Sequence, residues 1–185
     1  GTPPDLGISL EVHSFDCMVM PNEVIEIGRA ITGRIEEMLV ERGDYVEAGQ
    51  VVARLDSTVE EAAVRVARAR ASRKGELASS RVSMELGEKR RQRALTLFER
   101  ESLSLDTREE VETEATLAAL ELEQARENRR IASLQLEEAV AFLERHNIRS
   151  PISGFVTERL MAAGEVVEEE TMLRIAQVDP LRVEV

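Results

Sequence analysis

The sequence contains no tryptophan, one tyrosine and one cysteine, and aromatic residues make up only 3% of it. So few rings exclude a surface built to stack on bases or sugars. The lone Cys17, with His13 and His146 the only histidines, excludes an internal disulfide and leaves no ligand set for a structural zinc. Read by itself, Cys17 is a small strand residue. Positive charge is short as well: the net charge is −12 and the isoelectric point about 4.8, which excludes a phosphate-backbone binder, so no nucleic-acid partner is expected. Long apolar runs are missing; none approaches the roughly 18 residues of a membrane span, and no signal peptide is visible at Gly1, so the chain reads as soluble in this form. Catalytic patterns are missing too. There is no Ser-His-acid, Cys-His or phosphate-binding glycine signature, and the acidic pairs Glu36-Glu37, Glu109-Glu110 and Glu137-Glu138 and the run Glu168 to Glu170 read as solvated faces, because adjacent side chains on a helix diverge. Neither an enzyme nor a cofactor or metal is expected.

What is present is helical periodicity. From Thr58 to His146 the chain reads as two long helices folded back around Glu101 to Asp106. Steps of three and four link Ala63, Val66, Arg70, Arg73, Leu77, Ser80, Met84, Gly87, Arg91, Ala94 and Phe98, and then Val111, Ala115, Ala118, Leu122, Ala125, Arg129, Ala132, Leu136, Ala139 and Leu143. This is the spacing of a coiled-coil seam. Each arm of roughly 40 to 45 residues would extend about 65 Å. Asp106 or Thr107, followed by Glu109 and Glu110, is the expected N-cap of the second arm, and Ser57 or Thr58 that of the first. Gly75 and Gly87 are expected to thin or bend the first arm.

Outside the helices the text is short, extended and punctuated by glycine. Ile8, Leu10 and Val12 alternate as a strand, and Val19, Val24, Ile25 and Ile27 continue in the same vein. More informative is a repeat. Set against the residues 121 positions later, the segment from Ile31 keeps its register without a gap over about 22 residues: Ile31 aligns with Ile152, Gly33 with Gly154, Ile35 with Val156, Leu39 with Leu160, Gly43 with Gly164, Val46 with Val167 and Val52 with Leu173. Neither half can bury its apolar face alone, so two half-motifs bracketing a helical hairpin predict one β-sandwich closed from both. Its expected core is Ile35, Leu39, Val46, Val52, Val156, Leu160, Val167 and Leu173, with Pro151 ending any helical continuation.

The stretches Ala30 to Ile35, Gly43 to Gly49, Ser150 to Val156 and Gly164 to Val167, placed around a coiled-coil hairpin, resemble the periplasmic adaptor or membrane fusion proteins of bacterial tripartite efflux pumps, the HlyD-like family. The resemblance implies an α+β fold: a long antiparallel coiled-coil hairpin inserted into a split biotinyl/lipoyl-like β-sandwich, with strands of a truncated β-barrel at the ends. It divides the chain into an N-terminal strand segment (1–23), a first half-motif (24–56), the hairpin (57–148), a second half-motif (149–177) and the start of a barrel (178–185). Gly33, Gly43, Gly154 and Gly164 become its turn positions. Arg93, Leu97 and Ser104 stand at the spacing that such adaptors carry near the tip for docking on a TolC-like outer-membrane channel, with Leu103 as a second apolar anchor. The bland reading of the same residues is a solvated Arg93, a seam Leu97 and a capping Ser104.

By this resemblance the protein is a periplasmic adaptor, held at the inner membrane by a segment absent from the chain, with an inner-membrane transporter, a TolC-like channel and further copies of itself in a ring as partners. The resistance-nodulation-division branch is expected, with an ATP-driven exporter or type I secretion system as the alternative. A swinging-arm carrier domain shares the half-motifs but needs a modified lysine on the turn that the hairpin replaces here, and both lysines lie in the first arm. A plain coiled-coil scaffold needs neither the repeat nor the tip triplet.

Overall fold

The computed structural model describes residues 18–28 and 32–184. The strand expected over Ile8 to Val12, and Cys17 and His13 with it, lie outside them. The chain divides into two compact units, one formed by the residues up to Asp56 together with those from Asn147 on, the other by Ser57–His146.

The β unit holds eight strands: β1 (Met18–Ile27), β2 (Thr32–Met38), β3 (Tyr45–Val46), β4 (Val51–Leu55), β5 (Asn147–Arg149), β6 (Gly154–Arg159), β7 (Val166–Glu168) and β8 (Leu173–Glu184). They form two four-stranded sheets, ordered β1-β8-β6-β3 and β5-β4-β2-β7. The two halves therefore exchange strands: β7 of the second half pairs with β2 of the first, and β3 of the first pairs with β6 of the second. The exchange is reciprocal down to single hydrogen bonds. Ile35 N donates to Glu165 O at 2.8 Å and, 121 residues on, Val156 N donates to Asp44 O at 2.9 Å; Gly164 N donates to Ile35 O and Gly43 N to Val156 O, both at 2.8 Å. Between them lies a dry core of Ile35, Val46, Val52, Leu55, Val156, Val167, Met172, Leu173 and Ile175, all 2% exposed or less. Neither half has an apolar face that it covers by itself, which is why sequence-distant segments meet.

Two expected core residues are on the surface. Leu39 is 38% and Leu160 51% exposed, while the neighbours Val40 and Met161 turn inward. A β-bulge explains both. In β2 the pairing with β4 slips between Ile35 and Glu37, and in β6 the pairing with β8 slips between Val156 and Glu158, so one extra residue inverts the inside-outside alternation downstream of each. The repeat carries the bulge with it. At the chain's end, β8 runs unbroken from Leu173 through residue 178 and pairs with β1.

The helical unit has three helices rather than two: α1 (Thr58–Ala71), α2 (Gly75–Glu99) and α3 (Leu105–Glu144). Both α1 and α2 pack on α3, whose 40 residues run about 60 Å. The expected seam holds throughout α2 and α3, where Ala94, Ala115, Leu122 and Ala125 are buried; Arg129 alone of the α3 positions is exposed. In α1 it is displaced by one residue. Val64 and Ala67 are buried there, whereas Ala63 and Arg70 are exposed and Val66 is 53% exposed. The interruption at Ser72, Arg73 and Lys74 absorbs the difference in phase, so a heptad frame extrapolated backwards from α2 lands on the wrong face of α1. Gly75 begins α2 instead of thinning a continuous arm, and Gly87 faces Ala115, whose Cα would lie 3.2 Å from an added Cβ. The unit ends at His146, and residues 147–149, expected partly in the hairpin, form β5 against β4.

Candidate functional site at the hairpin tip

The tip is built by two caps. At the end of α2, Glu101 adopts φ 56°, Ser102 N donates to Leu97 O and Glu101 N to Phe98 O, both at 2.9 Å, which is a Schellman ending with glutamate in the left-handed position usually taken by glycine. Nothing in the sequence marks Glu101 for that role. The N-cap of α3 is Ser104, not Asp106 or Thr107: its Oγ accepts from Thr107 N at 3.3 Å, and Asp106 falls within the first turn, where its charge favours the helix N-terminus. The Arg108 guanidinium lies 4.9 Å from the Phe98 ring centroid and closes the two helices on each other.

Four residues were singled out here. Arg93 and Leu97 lie one turn apart on the outer face of α2, Arg93 exposed and Leu97 44% exposed, one residue before the seam positions Ala94 and Phe98. With Lys89, Gln92 and Thr96 they line a shallow open depression. Leu103 is half-buried in the turn, and the Ser104 hydroxyl is engaged in the cap. Arg93 and Leu97 thus share one face, while Ser104 has a local structural task. Just inward, Arg91 Nε and Nη2 donate to the two carboxylate oxygens of Glu88 at 2.9 and 2.7 Å; these bonds hold the Glu88 carboxyl below the ordinary glutamate range and raise the Arg91 guanidinium.

Sequence reading gives the hairpin charged flanks, Arg65, Arg68, Glu121 and Glu127, facing neighbouring copies or water, and misses the apolar residues on them. On α3, Leu117, Leu120, Gln124, Glu127, Ile131, Leu134 and Glu138 repeat at steps of three and four, one or two residues before each seam position, and the four apolar members are 44 to 60% exposed. On α2, Val82, Leu86, Lys89 and Arg93 do the same, with Val82 64% and Leu86 47% exposed. The signal was a second heptad frame in the same text. Arg90 Nη1 lies 3.8 Å from Glu114 Oε2 and Gly87 faces Ala115 and Ala118, which puts Val82 and Leu86 level with Leu120 and Leu117, and Arg93 level with Glu110. Each helix thus carries, away from its packed seam, a stripe in which exposed apolar residues alternate with polar and charged ones.

Of the four marked glycines, Gly43 and Gly164 sit in turns with φ of +94° and +92°, a backbone that side chains resist. Gly33 and Gly154 are not turn residues. They lie in β2 and β6: a Cβ on Gly154 would collide with the Ala176 carbonyl, while one on Gly33 would stand 3.1 Å from Leu55 Cδ1, a tight contact that a small shift of the leucine relieves. Among the described residues no cluster of three or more His, Cys, Asp or Glu is placed to hold a metal ion, and no helix is long and apolar enough to cross a membrane.

The sequence matches the family described as CzcB-like, barrel-sandwich hybrid domain over residues 23–177. No curated protein matches it. Among solved structures, MacA from Actinobacillus actinomycetemcomitans superposes with a TM-score of 0.79 at 22% identity, over 90% of this chain and 55% of that one. The membrane fusion protein Spr0693 from Streptococcus pneumoniae R6 gives 0.57 at 20% identity, over 90% of this chain and 64% of its own. At these identities the structural likeness speaks for the fold, and the chain spans 55% and 64% of the length of these neighbours, less than two thirds of either. With its strand-exchanged sandwich interrupted by the helical hairpin, the chain belongs to the CzcB-like barrel-sandwich hybrid domain family.

Proposed function

We propose that the protein is a periplasmic adaptor that bridges an inner-membrane transporter of the resistance-nodulation-division class and a TolC-like outer-membrane channel. The observation that carries this reading is the outer face of α2 at the tip: Arg93 and Leu97 are exposed, side by side and outside the seam, so neither is needed to hold the hairpin together. Leucine supplies apolar contact area and arginine a multi-donor fork for carbonyl or carboxylate groups, the pairing that protein interfaces favour. Leu103 adds a half-buried apolar edge, and Ser104 fixes the turn that presents them.

Copies of the chain surround the conduit side by side. Each flank stripe lies on the order of 150° from the seam at 100° per residue, so in an antiparallel pair the two stripes point about 120° apart, the angle that closes a ring of about six. Val82 and Leu86 of one copy meet Leu117 and Leu120 of the next, and Arg93 meets Glu110.

The test compares export in cells lacking the native adaptor, and crosslinking to the channel, for wild type, Arg93→Asp, Leu97→Asp and the mid-arm control Glu123→Arg. Both tip variants are expected to fold, with stability changed by about 0.5 kcal/mol or less, and to lose export and crosslinking. Tip variants that perform as well as the control would overturn the docking assignment.

A further inference from the structure

The seam fails at one level. Its last inward residue on α1 is Ala71 and its first on α2 is Leu77, and the interruption at Ser72 to Lys74 falls between them. Facing that level, the α3 seam position is the exposed Arg129, between buried Ala125 and half-buried Ala132. A missing apolar residue and two small ones leave a cleft of about 270 Å³, lined by Arg70, Arg73 and Arg129 with Glu76, Leu77 and Asn128. Its charge is unbalanced. Glu76 is the single carboxylate of the lining, and its Oε1 already accepts from Asn128 Nδ2 at 2.9 Å. Among the described residues none of the three guanidiniums has an ion-pair or hydrogen-bond partner, a state they share with Arg65, Arg68, Arg81, Arg93 and Arg100 of the same unit, but these three line one cleft together. In a chain with 36 acidic residues to 24 basic ones, three unpaired cations share one small cleft. Like charges so placed repel one another until a group of opposite sign enters.

We infer that this cleft is an anion site for a phosphate group, either free or carried on a lipid headgroup. Guanidinium forks arriving from both sides of the hairpin suit a tetrahedral dianion, which offers acceptor oxygens in several directions; a carboxylate offers two, and one fork saturates both. A phosphate held there ties the interrupted arm to α3 across the level where apolar packing is missing. The site lies away from the tip and does not depend on the adaptor reading.

Calorimetric titration of the chain with sodium phosphate at low ionic strength, where exposed charges are least screened, tests it. Acetate is the carboxylate control, and sedimentation with phosphatidylglycerol vesicles is the lipid arm. Phosphate is expected to bind, with Arg73→Ala and Arg129→Ala each raising Kd at least tenfold, Arg129→Lys giving an intermediate loss, and Arg65→Ala, outside the lining, changing it less than twofold. Circular dichroism checks that the variants keep their helix content. Vesicle retention lost in the same two alanine variants assigns the phosphate to a lipid headgroup; phosphate binding without retention assigns it to the free anion. The proposal is overturned if neither probe binds, if acetate binds as tightly as phosphate, or if Arg65→Ala weakens binding as much as Arg129→Ala.

Discussion

At the scale of single residues, glycine has different roles in the sheet and in the helical hairpin. A Cβ on Gly154 meets the backbone carbonyl of Ala176 and cannot be relieved by a side-chain shift, whereas one on Gly75 meets open space at the start of α2. Gly154→Ala is therefore expected to cost about 3 kcal/mol and Gly75→Ala to stabilise by up to about 1 kcal/mol, both read from urea unfolding midpoints. The Glu88 carboxylate gives a pH test. Hydrogen bonds from Arg91 hold its folded pKa below the ordinary value, so its contribution is complete above the unfolded pKa, about 4.3, and disappears as pH falls through the folded one. Glu88→Gln is expected to shrink the drop in Tm between pH 7 and pH 3, by a small amount because the pair is solvent-accessible.

Among elements, α3 has one face packed in the seam and one open to solvent. Leu122 is 2% exposed in the seam against α2, and Leu120, two positions away, is 60% exposed. Leu122→Ala is expected to cost about 3 kcal/mol and Leu120→Ala no more than about 0.5 kcal/mol in the isolated chain, measured by chemical denaturation. Equal losses would mean that the outer stripe is packed intramolecularly. In the sheets, the bulges of β2 and β6 sit at equivalent places in the repeat, so Leu39→Lys and Leu160→Lys are expected to be tolerated, while Val40→Lys is expected to unfold the β unit. Thermal melts of the three variants decide it.

For the whole molecule, the open question is association, because a hairpin two helices thick encloses nothing by itself. In a Cys17→Ser background, Leu86→Cys with Leu117→Cys is expected to give intermolecular disulfide ladders when the chain is assembled with the proposed transporter and channel. A pair placed within one flank, Leu117→Cys with Leu134→Cys, is expected to give none. Ladders from the second pair as strong as those from the first would remove the flank-to-flank arrangement.

The sequence by itself determined which segments belong together. The 121-residue repeat tied the half-motifs across the hairpin, and the heptad steps of α3 located its seam, because both are periodic patterns of burial written directly in residue type. The tip was legible as the place where periodicity stops, and a capping Ser104 was one reading of it beside Asp106 or Thr107; several neighbouring residues have the same capping chemistry, so the sequence did not choose among them, and Glu101 in a left-handed conformation carried no signal. Tertiary structure decided phase and parity. A bulge inverts which side of a strand faces the core, and a three-residue interruption shifts the seam of α1 by one position; each depends on how a neighbouring element pairs, which no local pattern encodes. The same holds for the cleft at Arg70, Arg73 and Arg129: sequence spacing put all three arginines on the seam, and only the packing against α3 showed that they line an opening instead of filling it.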